Sequence, residues 1–356
     1  MTDDWRTQRW QIGATVLEAG RGGIALVARM TARALIEAGA RTDIFALADV
    51  APTDISRKRA FAGSKARYAA ACHAAALTHD FFLYDAVGPA RAHPRLPGLR
   101  RPYGVWIHGV EVWNSLSPDR TRALRGAEFV LSNSQFTLDR FQGLHFELPN
   151  ACVCQLATEE DAPPSILADF NGVPTVLILS RIDGGEMYKG HGELIAAWPD
   201  VVSRVSKARL VIAGGGSGLD EVRRLASQSA ASGSIDVLGF VPNKKLEELW
   251  RAAHVFAMPS LGEGFGLVYV EAMRHGLPIV TSNKDAGQEL NTEGETGFCV
   301  EPSEREDLAG RLITLLSDRE LCARMGRAGF AQWQQQYRAS QFAHRLTECL
   351  DKLCAV

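Results

Sequence analysis

Short apolar runs alternate with helical periodicity twice along this chain, and that double rhythm restricts the fold more than any other feature. Trp10–Val16 reads as a strand and is followed by the glycine turn Gly20-Arg21-Gly22-Gly23. After the turn Ile24, Val27, Thr31, Leu35 and Ala38 fall near one face of a helix that Gly39 closes. Thr42–Leu47, Phe81–Val87, Tyr103–Ile107 and Glu128–Leu131 are the next expected strands, with helical stretches over 66–77 and 134–141. Residues 158–174 break the pattern with four acidic residues, three prolines and no basic one, as an exposed inter-domain linker would. The rhythm then restarts with Thr175–Leu179, Arg209–Ala213, Ile235–Leu238, Val255–Met258, Pro278–Thr281 and Phe298–Val300. From Glu304 onward the pattern is helical. Strands alternating with helices predict parallel sheets covered on both faces, so the class is α/β. A length of 356 residues suits two doubly wound domains better than one core.

Charge and cysteine usage exclude several function classes. Lys and Arg number 39 against 41 Asp and Glu, so the basic excess of a nucleic-acid coat is missing. No apolar run has the length needed to span a bilayer, and the start Met1-Thr2-Asp3-Asp4 does not read as a signal peptide. The seven cysteines include no C-x-x-C pair, which predicts reduced, buried thiols in a cytoplasmic protein. Within residues 50–125, however, twelve basic residues face five acidic ones. A solvated basic surface and a peripheral contact with anionic lipid at the inner face of a membrane both fit that excess.

In open parallel sheets, ligands bind beyond the carboxyl ends of the strands. Thr175–Leu179 is followed by Ser180-Arg181 and then Tyr188-Lys189-Gly190-His191. Val255–Met258 is followed by Pro259-Ser260-Leu261-Gly262-Glu263-Gly264-Phe265-Gly266-Leu267 and a helix bearing Glu271. Tyr103–Ile107 leads into His108-Gly109-Val110-Glu111. These residues describe an anion site with a sugar site beside it. Gly264 and Gly266 expose amides at a helix N-terminus, and Gly23 offers the same in the first domain. Arg181 and Lys189 add full positive charge, the first as a fork and the second as a point charge. Glu271 is placed to accept from ribose hydroxyls, and Glu263 from those of a second sugar.

The run Glu263-Gly264-Phe265-Gly266-Leu267-Val268-Tyr269-Val270-Glu271 resembles the E-x7-E motif of retaining glycosyltransferases of family 4, the group 1 glycosyltransferases. Gly22-Gly23, His108-Gly109, Ser180-Arg181 with Lys189-Gly190, Ala213-Gly214-Gly215-Gly216, Leu238-Gly239-Phe240-Val241-Pro242 and Thr296-Gly297-Phe298 agree with it in order. The resemblance implies a GT-B fold of two facing Rossmann-like domains whose C-terminal helices return to the N-terminal one. Residues 1–160 with 338–356 would bind the acceptor, and 170–337 the nucleotide-sugar donor. It further implies that the donor contacts Gly23, Arg181, Lys189, Phe240, Val241, Pro242, Glu263, Gly264, Phe265, Gly266, Leu267 and Glu271. His108, Glu263, Arg181 and Lys189 would form the catalytic set, with His108 and Glu111 on the acceptor side. The implied reaction is hexose transfer with retention to the hydroxyl of a sugar or lipid-linked sugar, in polysaccharide or glycolipid synthesis. GDP-mannose, UDP-glucose and UDP-N-acetylglucosamine all fit as donor, and neither metal nor cofactor is implied.

Two positions depart from the family pattern: Glu111 stands where Asp is common after His-Gly, and Pro149-Asn150-Ala151-Cys152-Val153 lacks a Gly and an Asp. Taken singly, Glu263 and Glu271 read equally as surface acids, Arg181 and Lys189 as solvated cations, and His108 as a satisfied core histidine. His191 reads as a helix start rather than a ligand, and Gly214-Gly215-Gly216 lacks the first glycine of a dinucleotide fingerprint. Besides a glycosyltransferase, a dehydrogenase or epimerase on paired Rossmann-like domains stays open, as does a donor-binding protein without turnover.

Overall fold

The computed structural model describes residues 4–50 and 58–354. They form two compact units, one running through Glu159 and taking back the chain from Ala339, the other spanning Glu160–Arg338.

In the first unit the strands are β1 (Arg9–Ala14), β2 (Arg41–Ala46), β3 (Lys58–Ala60), β4 (Phe81–Tyr84), β5 (Tyr103–Ile107), β6 (Phe129–Ser132) and β7 (Ala151–Val153). They pair in parallel in the order β3-β2-β1-β4-β5-β6-β7. The central strands are buried and, apart from Gln11 and Ser132, apolar on both faces, as a sheet covered by helices on each side requires. Helix Gly23–Glu37 buries Ala25, Val27, Ala28, Thr31 and Leu35, and helix Ala339–Leu353 packs on it with Phe342, Leu346 and Leu350 inward.

The second unit holds β8 (Thr175–Leu179), β9 (Arg209–Ala213), β10 (Ile235–Gly239), β11 (Val255–Ala257), β12 (Ile279–Ser282) and β13 (Gly297–Val300). They too are parallel, in the order β10-β9-β8-β11-β12-β13. In both sheets the strand order reverses beside the first strand, between β1 and β4 and between β8 and β11. That crevice is where the carboxyl ends of such sheets receive ligands.

Three sequence expectations need correction. Phe81–Val87 is not one strand: β4 stops at Tyr84 and Val87–Ala90 turns helical. Residues 158–174 contain no regular element, yet much of the expected linker is fastened to the second unit. The Ala168 and Asp169 amides donate to the His275 and Arg251 carbonyls, and Phe170 lies edge-on to His254. Finally, Cys152 and Cys349 are disulfide-bonded, because β7 and the last helix bring their Cα atoms to 5.9 Å. Cys72, Cys154, Cys299, Cys322 and Cys354 are free, as expected.

Candidate functional site

The site of the second unit is built where β8, β9, β10 and β11 end. Gly214, at φ 138°, sits so close to the strand beside it that a Cβ would stand 1.7 Å from the Ser180 carbonyl oxygen. Its amide donates to the Gly239 carbonyl, and Ile182 donates to Gly215, so the ends of β8, β9 and β10 are drawn together. The glycine triplet therefore serves backbone approach, not a dinucleotide turn. Beside it Phe240 is 77% exposed, an aromatic ring left in water at the end of β10. Val241 is half-buried, and Pro242 precedes the helix Asn243–Ala252.

Gly190 ties the loop after β8 to the loop after β11. At φ 91° its position admits no side chain, because a Cβ would meet the Pro259 carbonyl oxygen at 2.7 Å. The Leu261 amide donates to the Tyr188 carbonyl at 2.8 Å. This contact places Lys189 against Glu263, and the two side chains form an ion pair with only 16% and 14% of their surfaces exposed. Burial works against the Lys189 charge, but Glu263 outweighs it and the ammonium is held above its ordinary pKa.

Arg181 is more exposed and is held by two carboxylates of its own loop. Its guanidinium contacts Glu186 through two nitrogens and Asp183 at 3.0 Å. The Glu186 hydrogen bond raises its pKa further.

Helices Gly23–Glu37, His191–Arg204 and Leu267–Arg274 follow β1, β8 and β11, and each begins on a glycine with no side-chain cap. Ser64, Ser117, Ser134 and Asp318 cap their helices with side-chain oxygens, whereas Leu219–Gln228, Asn243–Ala252 and Arg305–Ser317 also start without one. What sets the helices after β1, β8 and β11 apart is their place at the two switch points, where first-turn amides face the carboxyl ends of the strands. In the third of these helices Glu271 stands half-buried, its carboxylate with no hydrogen-bond partner among the described residues. Burial pushes its carboxyl up to about 7, and the charge of Arg274 offsets this only in part. His191 opens its helix as expected and is fully buried, which lowers its pKa to about 4.

In the first unit Nε2–H of His108 donates to the Asp85 carbonyl at 2.6 Å, which fixes the tautomer and leaves Nδ1 as an acceptor. Glu111 accepts from the His108 amide at 2.5 Å, so its carboxylate braces the turn after β5. Gly23 opens its helix at the end of a loop held by buried acids. The Asp85 carboxylate accepts from the Thr15 amide and hydroxyl, and burial raises its pKa to about 7. Asp49 accepts from the Leu17 amide and pairs with Lys58, both side chains being wholly buried.

The basic segment is less uniform than its composition suggests. Lys58 is interior, and Arg57 lies outside the described residues. Arg91, Arg95, Arg100, Arg122 and Arg125 are exposed, as is Leu96.

The structure thus brings together Lys189, Glu263, the 264–267 turn and Glu271 in one unit, with Arg181 and Phe240–Pro242 at neighbouring strand ends. Gly23, His108 and Glu111 lie at strand ends of the other. Asp183, Glu186 and Asp285 were not singled out from the sequence. The first two sit inside the Arg181–Lys189 stretch, and Asp285 follows β12, so the rule applied to the other strands would have found it. Among the described residues no group of three or more His, Cys, Asp or Glu is arranged to hold a metal ion, and no helix is long and apolar enough to cross a membrane.

Known proteins agree with this geometry. The family model described as glycosyl transferases group 1 matches residues 167–332. A GDP-mannose-dependent monoacylated alpha-(1-6)-phosphatidylinositol monomannoside mannosyltransferase of Corynebacterium glutamicum is 34% identical over 265 residues, covering 68% of each chain. A GDP-mannose-dependent alpha-(1-6)-phosphatidylinositol monomannoside mannosyltransferase of Mycobacterium tuberculosis is 29% identical over 276 residues, covering 72% of this chain and 71% of that one. Among solved structures, HepE of Anabaena in complex with UDP superposes with a TM-score of 0.77 at 19% identity, over 97% of this chain and 100% of the other. The dehydrogenase and epimerase readings fall with these matches. The chain has the two-domain GT-B fold and belongs to the group 1 glycosyltransferases.

Proposed function

We propose that this glycosyltransferase moves mannose from GDP-mannose to a hydroxyl of a glycolipid acceptor, with retention at the anomeric carbon and an α linkage. The observation that carries the donor half is the half-buried Glu271 carboxylate without a side-chain partner, in the helix that follows the Lys189–Glu263 pair's loop. A half-buried carboxylate without a protein donor is a ready acceptor for a ligand, and the vicinal hydroxyls of a ribose supply two donors. Lys189, Arg181 and the open amides of Phe265, Gly266 and Leu267 are assigned to the diphosphate. Glu263 is assigned to hydroxyls of the transferred sugar, and the Phe240–Pro242 turn flanks the base.

Breaking the sugar–phosphate bond builds positive charge at the anomeric carbon and negative charge on the leaving diphosphate. Fixed cations and amides at the phosphates stabilise the second without a metal ion. The leaving phosphate then takes the proton of the acceptor hydroxyl as that oxygen attacks from the same face. His108 is assigned to the acceptor side, near the anomeric carbon. The choice of mannose and glycolipid is supported by the names of the two mannosyltransferases. The exposed arginines 91, 95, 100, 122 and 125 and the exposed Leu96 suit a peripheral approach to anionic lipid.

Labelled GDP-mannose, UDP-glucose and UDP-N-acetylglucosamine, each offered with phosphatidylinositol mannoside in anionic vesicles and excess EDTA, test the reading. Transfer from GDP-mannose, with an α product, supports it. Transfer from a uridine donor alone refutes the donor, and abolition by EDTA refutes metal independence.

A further inference from the structure

Glu263 does not hold its own place. Its loop follows β11, and the turn that follows β12 grips its peptide from both sides. One oxygen of the Asp285 carboxylate, Oδ2, accepts from the Glu263 amide at 2.9 Å, and Oδ1 accepts from the Gly287 amide at 2.9 Å. The Ala286 amide donates in turn to the Glu263 carbonyl at 3.0 Å. The Ser260 hydroxyl, three residues before Glu263, also reaches the same carboxylate. Asp285 itself is fully buried, so it cannot touch a sugar.

We propose that Asp285 is a positioning residue, whose carboxylate fixes the Glu263 main chain so that the Glu263 side chain is presented to the transferred sugar beside Lys189. The proposal rests on the assignment of Glu263 to the sugar. The choice of residue type supports it. Two amides that point at one side chain need two acceptor oxygens, and at this length only Asp offers both; Asn would turn its NH2 toward one of them. Burying a carboxylate is costly, and the amides of Glu263 and Gly287 offset part of that cost. Retaining the charge makes sense where the exact placement of a loop decides turnover, since misplacement by about 1 Å can cost about a hundredfold in rate.

Steady-state kinetics with GDP-mannose and equilibrium binding of GDP are measured for Asp285→Asn, Glu263→Gln and the double variant. Asp285→Asn is expected to lower kcat/KM about tenfold or more with no loss of GDP affinity, because GDP lacks the transferred hexose and a displaced Glu263 competes less for Lys189. The double variant is expected to lose no more than Glu263→Gln alone, since both substitutions remove one function. Full activity of Asp285→Asn beside an impaired Glu263→Gln overturns the proposal and leaves the sugar assignment standing. Additive losses in the double variant overturn it as well, because Asp285 then acts through another group. If Glu263→Gln is as active as the wild type, the sugar assignment and the positioning role fall together. Should Asp285→Asn fail to fold, hydrogen exchange of the wild-type protein decides: strong protection of the Glu263 amide without ligand is expected, and exchange at the rate of an open loop refutes the clamp.

Discussion

Replacing Glu271 by Gln is expected to stabilise the ligand-free protein and to weaken its grip on nucleotide at the same time. Burial raises the carboxyl from 4.5 to about 7 in the folded chain. For an acid with a raised folded-state pKa, the folded protein binds the proton more readily than the unfolded chain does. Stability is therefore fuller below 4.5 and falls as pH rises to about 7, by at most about 3 kcal/mol at 1.36 kcal/mol per unit. Because Glu271 keeps some contact with water, a gain of about 1–2 kcal/mol is the expected share that Gln recovers at pH 8. At pH 4.5 the wild-type group is already neutral, and the two proteins should melt together. With GDP present the order reverses: loss of charge-assisted hydrogen bonds to the ribose weakens binding by about 1.5–3 kcal/mol, or roughly 10–150-fold. Thermal unfolding at the two pH values, with and without GDP, reads all four states. A stability gain equal at both pH values would refute the desolvation argument. An unchanged nucleotide-induced shift would refute the ribose assignment.

Lys189→Ala removes the buried cation and leaves Glu263 without its partner. Turnover with GDP-mannose should fall by about a hundredfold or more, and a rate near wild type would sink the diphosphate assignment. His108→Ala should lower transfer while GDP binding, measured by calorimetry, is kept; equal loss of both would assign the imidazole to folding. Lys58→Met leaves the Asp49 carboxylate buried without its cation, so the urea unfolding free energy should drop by about 3–5 kcal/mol. A loss below about 1 kcal/mol would show that water reaches the pair.

Much of this was legible from pattern because the determinants are local. The strands of both sheets are short apolar runs, and a parallel strand buried on both faces has little choice but to look that way. β3 was not legible, since Lys-Arg-Ala carries no apolar signal; it is a strand through its ladder with β2, and its Lys58 pairs with Asp49 in the loop beyond β2. The Phe81–Val87 run continued in sequence past β4, but the chain turns at Asp85, whose carboxylate is claimed by Thr15 some 70 positions earlier. The disulfide between Cys152 and Cys349 likewise depends on the return of the last helix, which no spacing of cysteines could indicate. The site follows the same division. Cations, glycines and acids after strand ends could be read from order alone, whereas their partners could not. Glu186 on Arg181 and Asp285 under Glu263 are matters of three-dimensional neighbourhood.

Those partners change how donor binding should be understood. In the ligand-free chain neither cation of the proposed diphosphate site is bare: Lys189 is matched by Glu263, and Arg181 by Glu186 with Asp183. An isolated ammonium as dry as Lys189 would lose its proton or draw in water, so a carboxylate is needed to keep it charged and in place. A diphosphate arriving there does not add to an empty positive pocket; it competes with carboxylates already present. Competition lowers affinity for any lone anion, since inorganic phosphate must displace a tethered rival and has no other contact to offset the loss. On the proposed assignment, a sugar nucleotide would compensate through Glu271 at one end and through Glu263 at the other, the latter exchanging Lys189 for sugar hydroxyls. On that assignment, the pairing that stores the charge would also select for a ligand carrying phosphate, ribose and sugar at once. This accounts for placing the E-x7-E acids and the two cations on loops that touch.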